Sequence, residues 1–202
     1  YYMKEILGLH PLCVNIASQV DTPEGVANLQ NLQSRFKVDV VVLRPNPEVE
    51  KRTTWCGMIK NAWPNWAHDK LIYSWPLKLA LSLGITLVVM GENHDYECGG
   101  KDLGLGAEAA TQMLHTLEKE IDIDEWISNG VTLADLTPYF NPSPIAIEAT
   151  GSHVIWLGYF VNWDSFAIYQ LARECGFCPL SETPRGLIDT YHGIDDMVVQ
   201  VN

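Results

Sequence analysis

Apolar residues along this chain fall into short β-branched runs separated by stretches of helical spacing. Pro11 to Ala17 (PLCVNIA) is a strand candidate, and so is Val38 to Leu43 (VDVVVL). Between them, Asp21-Thr-Pro-Glu24 reads as a helix start with an acidic cap and an early proline. Val26, Leu29, Leu32 and Phe36 follow at helical spacing. Strand, helix, strand at this spacing predicts a βαβ crossover and a parallel sheet. Further on, His68 to Leu83 is a helix stopped by Gly84, with a kink or break expected near Ser74 because Pro76 lies inside it. Ile85 to Met90 follows as a fully buried strand and empties into Gly91-Glu92-Asn93.

The remaining elements are thinner. Tyr1 to Leu7 is helical and ends at Gly8, with no N-cap before it. Glu48 to Trp66 starts helical and turns loop-like around its tryptophans. Gly104 to Glu120 and Ile123 to Asn129 are helices, and Thr132 caps a short turn over Leu133 to Leu136. Asn141 to Pro144 is a loop, and His153 to Val161 is another strand. Asp164 stands at an N-cap, before a helix over Phe166 to Cys175 ended by Gly176. The expected fold is α/β, an open parallel sheet. Residues 1–100 form an α/β core, and residues 101–202 form a helical lobe with one further strand and helix.

Composition narrows the function. At 202 residues and 47% hydrophobic content, one domain or a domain with a lobe is expected. The net charge of −12 repels phosphate backbones, which argues against nucleic acid as a partner. No apolar run is long enough to span a bilayer, so no membrane span is expected. Five cysteines at scattered spacings favour a reducing cytoplasm over a disulfide framework. Cys175 and Cys178 form a lone C-x-x-C without two further ligands, so no metal site is expected there.

In open α/β sheets ligands bind at the carboxyl ends of strands, which directs attention to Gly91, Glu92 and Asn93. Glycine there allows close approach to the backbone, and the polar pair suits a ribose or a base edge; an ordinary βα turn is the plainer alternative. Trp55, Trp63, Trp66, Tyr73 and Trp75 gather near His68 and Asp69. Aromatic rings beside polar groups suit sugar faces, and core packing is the competing role. His68 and Asp69 point apart on a helix, which argues against a direct relay between them. Trp163 and Asp164 sit at a strand's carboxyl end, where capping alone accounts for Asp164. No Walker loop, nucleophile elbow or dinucleotide fingerprint occurs.

Several blocks together resemble the N-acetyl sugar amidotransferases: Pro45 to Val49, Trp63 to Trp66, His68 to Leu77, Val89 to Asn93, Tyr96 with Gly99 and Gly100, and Tyr159 to Ser165. The resemblance covers nearly the whole chain. It implies an adenine-nucleotide α-hydrolase-like (PP-loop ATP pyrophosphatase) fold. The implied activity converts an acetamido group of a sugar nucleotide or nonulosonic acid to an acetamidino group, in cytoplasmic steps of surface-polysaccharide and lipopolysaccharide biosynthesis. The implied co-substrate is ATP with Mg2+, and the implied partner is a glutaminase and synthase pair that supplies ammonia. Ala17, Ser18, Gly91 and Asn93 are then nucleotide-site candidates, and Glu92 is the catalytic candidate. Trp63, Trp66, His68, Asp69, Tyr96 and Trp163 are sugar-site candidates. The family's Ser-Gly-Gly-Lys-Asp-Ser phosphate loop is expected upstream of Tyr1, and its strand is expected in the middle of the sheet, between the Pro11–Ala17 and Ile85–Met90 strands. A cysteine-rich segment before the chain and a basic one after it are expected too. ATP hydrolysis by these 202 residues alone is not expected. A tRNA-modifying PP-loop enzyme and a non-catalytic assembly module are the alternatives.

Overall fold

The computed structural model describes residues 1–91, 122–162, 164–183 and 189–194. Their contacts divide the chain into two compact units, Tyr1–Pro45 with Asp164–Asn202, and Asn46–Trp163. The boundary expected between residues 100 and 101 lies outside the described residues, as does the helix expected over Gly104 to Glu120.

The first unit opens with one π-helical turn, Tyr2–Ile6. Strand β1 (Cys13–Ile16) follows, then helix α1 (Pro23–Phe36) and strand β2 (Val40–Leu43). β1 and β2 pair in parallel, with Cys13 opposite Val40 and Ile16 opposite Leu43. This is the crossover that the β-branched runs and the helical stripe predict. The cap differs from the expectation. Thr22, not Asp21, accepts the Gly25 N–H at 2.9 Å, while Asp21 pairs with Arg44 at 3.1 Å. Pro23 at the first helical position leaves only the residue before it able to cap. Thr22 also donates its hydroxyl to the Ile194 carbonyl, which ties the chain's distal segment to the start of α1.

The second unit runs through α2 (Pro47–Asn61), α3 (Trp66–Leu83), β3 (Leu87–Met90), α4 (Ile123–Ser128), α5 (Leu133–Leu136), α6 (Pro144–Thr150) and β4 (His153–Trp156). β3 and β4 pair in parallel, from Leu87 opposite His153 to Met90 opposite Trp156. Leu77 and Ala80 of α3 and Ile147 of α6 pack with Val88, Met90, Val154 and Trp156 of the sheet in one cluster. Thr53, Cys56, Trp66, Trp126, Leu136 and Tyr139, from α2, α3, α4, α5 and just beyond it, are buried too, and the Trp66 ring meets those of Trp126 and Tyr139.

Four expectations are corrected here. α3 continues through Pro76 and does not break near Ser74, because Ser74 and Leu77 are fully buried on either side and packing holds the helix together. β3 is not buried throughout. Leu87 is exposed while Val88 and Met90 are buried, the alternation of a sheet with one covered face. β4 ends at Trp156 and gives way to a 3-10 turn, Leu157–Tyr159. Pro144, expected to close the loop that begins at Asn141, instead opens α6, because Ser143 accepts the Ala146 N–H and proline suits the first helical position. Thr132 and Asp164 do cap their helices as expected, Thr132 in a reciprocal box with Asp135. α7 (Ser165–Glu174) belongs to the first unit.

Ala62 ends α2 in the left-handed region at φ 52°, a conformation that costs a side-chain-bearing residue. Ala62→Gly is expected to raise stability by about 0.5–1 kcal/mol, seen as a higher urea midpoint at unchanged slope.

Candidate functional site

The sugar-site candidates of the described chain meet at the α2–α3 junction. The Gly57 carbonyl accepts the N–H groups of both Ala62 and Trp63, which folds the chain back and sets Trp63 beside the first turn of α3. The Trp63 indole Nε1–H donates to the Asp69 carboxylate at 2.8 Å. Trp63 and Asp69 are therefore one structural pair, half-buried, with His68 beside them.

Burial pushes the Asp69 carboxyl above the ordinary aspartate range, against the pull of the Trp63 hydrogen bond and the His68 charge. The sign follows from that direction. The folded state favours the protonated acid, so this contribution is fully present below the unfolded pKa and is lost as pH rises through the raised folded value. The fluorescence difference between the protein and Trp63→Phe is expected to titrate with a midpoint above about 3.9, and Asp69→Asn to abolish the step.

Trp66 has a different role. It is 0% exposed, meets Trp126 edge-on at 4.8 Å, and lies 6.2 Å from the Tyr139 ring. A ring enclosed in this way has no face for a sugar, so Trp66 is a packing residue. Tyr139 shares the enclosure: burial is the main reason its hydroxyl is pushed up to about 12, with the Glu50 charge adding to it and a Thr53 hydrogen bond opposing. Trp55, in contrast, is exposed. Tyr73 packs edge-on against Trp156 at 5.9 Å and joins α3 to the sheet.

α3 also carries unspent polar capacity. Trp66 Nε1, His68 Nδ1, Ser74 Oγ and Trp75 Nε1 are buried atoms without a hydrogen-bond partner among the described residues. Lys70 is fully buried on the same helix and is engaged by a partner.

At the strand ends the candidates differ in what they can offer. Ala17 is buried and donates its N–H to Leu43 O at 2.9 Å, which prolongs the β1–β2 ladder, so that donor is already used. Ser18 beside it is half-buried. Gly91 is exposed, and a Cβ built on it would meet nothing within 4 Å among the described residues. Neither strand end carries a glycine-rich run able to cradle a phosphate chain. Glu92, Asn93, Tyr96 and Trp163 lie outside the described residues.

Cys13, Cys56, Cys175 and Cys178 are free thiols. Burial pushes Cys56 and Cys13 up, which makes both poor nucleophiles. Among the described residues no group of three His, Cys, Asp or Glu side chains could hold a metal ion. No described helix is long and apolar enough to cross a membrane.

Sequence reasoning missed a cavity of about 560 Å³ within the first unit, between α1 and α7. One signal for it was present: the Leu29, Leu32 and Phe36 stripe predicts a buried helix face, yet no residue of α1 is buried. A scan against protein-family models finds no match to this chain, and a search of curated proteins finds none either.

Proposed function

We propose that this chain is the sugar- and nucleotide-binding part of an amidotransferase that converts an acetamido group of a sugar nucleotide or nonulosonic acid to an acetamidino group. The observation that carries the reading is the hydrogen bond from the Trp63 indole to Asp69 at 2.8 Å with His68 beside it, an aromatic ring and polar groups of the kind a sugar needs. The parallel pairs β1–β2 and β3–β4, each within its own unit, suit an α/β protein.

The α2–α3 junction supports the substrate half. Trp63, steadied by Asp69, offers a ring to the apolar face of a pyranose, and His68 adds a polar group beside it. His68 Nδ1, a polar atom without a partner among the described residues, suits the oxygen-rich partner that a sugar provides. Gly91 suits the nucleoside part, and Glu92, Asn93, Tyr96 and Trp163 complete the proposed set. Ser18 and the Ala17 carbonyl are the proposed contributions of β1. Trp66 is not part of it.

ATP would supply the leaving group that an amide oxygen lacks, forming AMP and pyrophosphate while ammonia becomes the amidine nitrogen. The phosphate chain has no cradle in these residues, so no step of theirs is assigned to it. The test uses the complete gene product with ATP, Mg2+, ammonia and a panel of acetamido sugar nucleotides. Expected are AMP and pyrophosphate that depend on the sugar, and a sugar product in which NH replaces O by mass. Trp63→Ala is expected to raise the sugar KM with a smaller change in kcat. AMP formation that depends on tRNA instead of the sugar would overturn the proposal in favour of tRNA modification.

A further inference from the structure

The cavity between α1 and α7 has a size typical of small-molecule sites and mostly apolar walls, with Leu29 and Phe36 on one side and Leu171 and Phe177 on the other. Tyr191 completes the wall and is stacked on Tyr169 at 4.2 Å, with the planes 16° apart, so that ring is held in place.

Three asparagines reach this cavity, and two are already used. Asn28 clamps Cys178, donating to its carbonyl at 2.9 Å and accepting its N–H at 2.7 Å. Asn31 donates to the Cys175 carbonyl at 3.0 Å. The third, Asn15, sits half-buried inside β1, where asparagine is disfavoured, and lines the same cavity. A carboxamide in an apolar wall offers one donor and one acceptor side by side.

We propose that this cavity is a second binding site, distinct from the sugar site, for a planar ring compound bearing an adjacent donor and acceptor, such as an aromatic amide or lactam. The ring lies between the apolar walls of α1 and α7, and its amide pairs edge to edge with Asn15. This inference does not depend on the amidotransferase reading, since no residue it uses serves the sugar site.

The probe is benzamide, followed by chemical-shift titration, with toluene as the ring that lacks the amide. Expected is saturable benzamide binding that weakens about tenfold in Asn15→Leu while toluene binding is retained. Asn15→Ser, the milder removal of the amide, is expected to give the same loss. Ala172→Trp, which fills the cavity from α7, is expected to abolish binding of both. Benzamide affinity unchanged in both Asn15 variants would overturn the paired-amide recognition. Binding untouched by Ala172→Trp, or no binding at all, would overturn the site.

Discussion

Trp66→Ala is expected to lose about 3–5 kcal/mol of stability, the range for removing a fully buried large aromatic. That is a large share of the about 5–15 kcal/mol that holds a domain folded. The side chain is 0% exposed, and its contacts run to two other elements, to Trp126 in α4 and to Tyr139 beyond α5. The cavity left behind cannot close easily, because Trp126 is itself pinned by its Nε1–H to Asn61 Oδ1 at 3.0 Å. Trp55→Ala is the control. That residue is 59% exposed on α2, and its loss is expected to change stability by less than about 0.5 kcal/mol. Urea unfolding of both variants checks the pair. Equal, small losses would mean that Trp66 is not the packing centre of α2, α3 and α4.

The same residue explains what the sequence could and could not convey. Trp63 and Trp66 stand three apart in an aromatic stretch, where sugar stacking and core packing compete, and the resemblance makes both sugar-site candidates. Burial separates them: one indole is half-buried with a carboxylate partner, while the other is enclosed by two rings. Tertiary packing decides that, and no local pattern records it. The strands were legible because β-branched runs have few other uses, and Thr132 and Asp164 were legible because capping is a local event. The break expected near Ser74, one alternative to a kink, was a local inference overruled by packing on both flanks of Pro76. Residues 144–150 were missed because Pro144 signals a loop and a helix start equally well, and only the Ser143 hydrogen bond distinguishes the two. The cavity beside α1 was legible only in part, since the Leu29, Leu32 and Phe36 stripe says that a face seeks cover and not whether anything covers it.

Gly57→Ala is expected to destabilise by about 3 kcal/mol, against the usual sign for this exchange. In an ordinary helix interior, alanine is better than glycine by about 1 kcal/mol. Gly57 lies inside α2 with ordinary helical backbone, so propensity alone predicts a gain. A Cβ there would collide with the Trp63 carbonyl oxygen and stand 3.2 Å from its carbon, with the Pro64 Cα at 3.6 Å. These are backbone atoms and cannot rotate away. They are also fixed from the other side, because the Trp63 N–H donates to the Gly57 carbonyl at 2.8 Å. Relief therefore requires opening the α2–α3 turn, and overpacking of this kind costs about 1–3 kcal/mol before the turn's hydrogen bonds are counted. Opening the turn also moves Trp63 away from Asp69. The variant is thus expected to lower the urea midpoint and to lose the fluorescence step assigned to that pair. Stability that rises by the helix-propensity increment, with the Trp63 titration intact, would show that the turn has room for a methyl group and that the close approach of α2 to Trp63 does not fix the site.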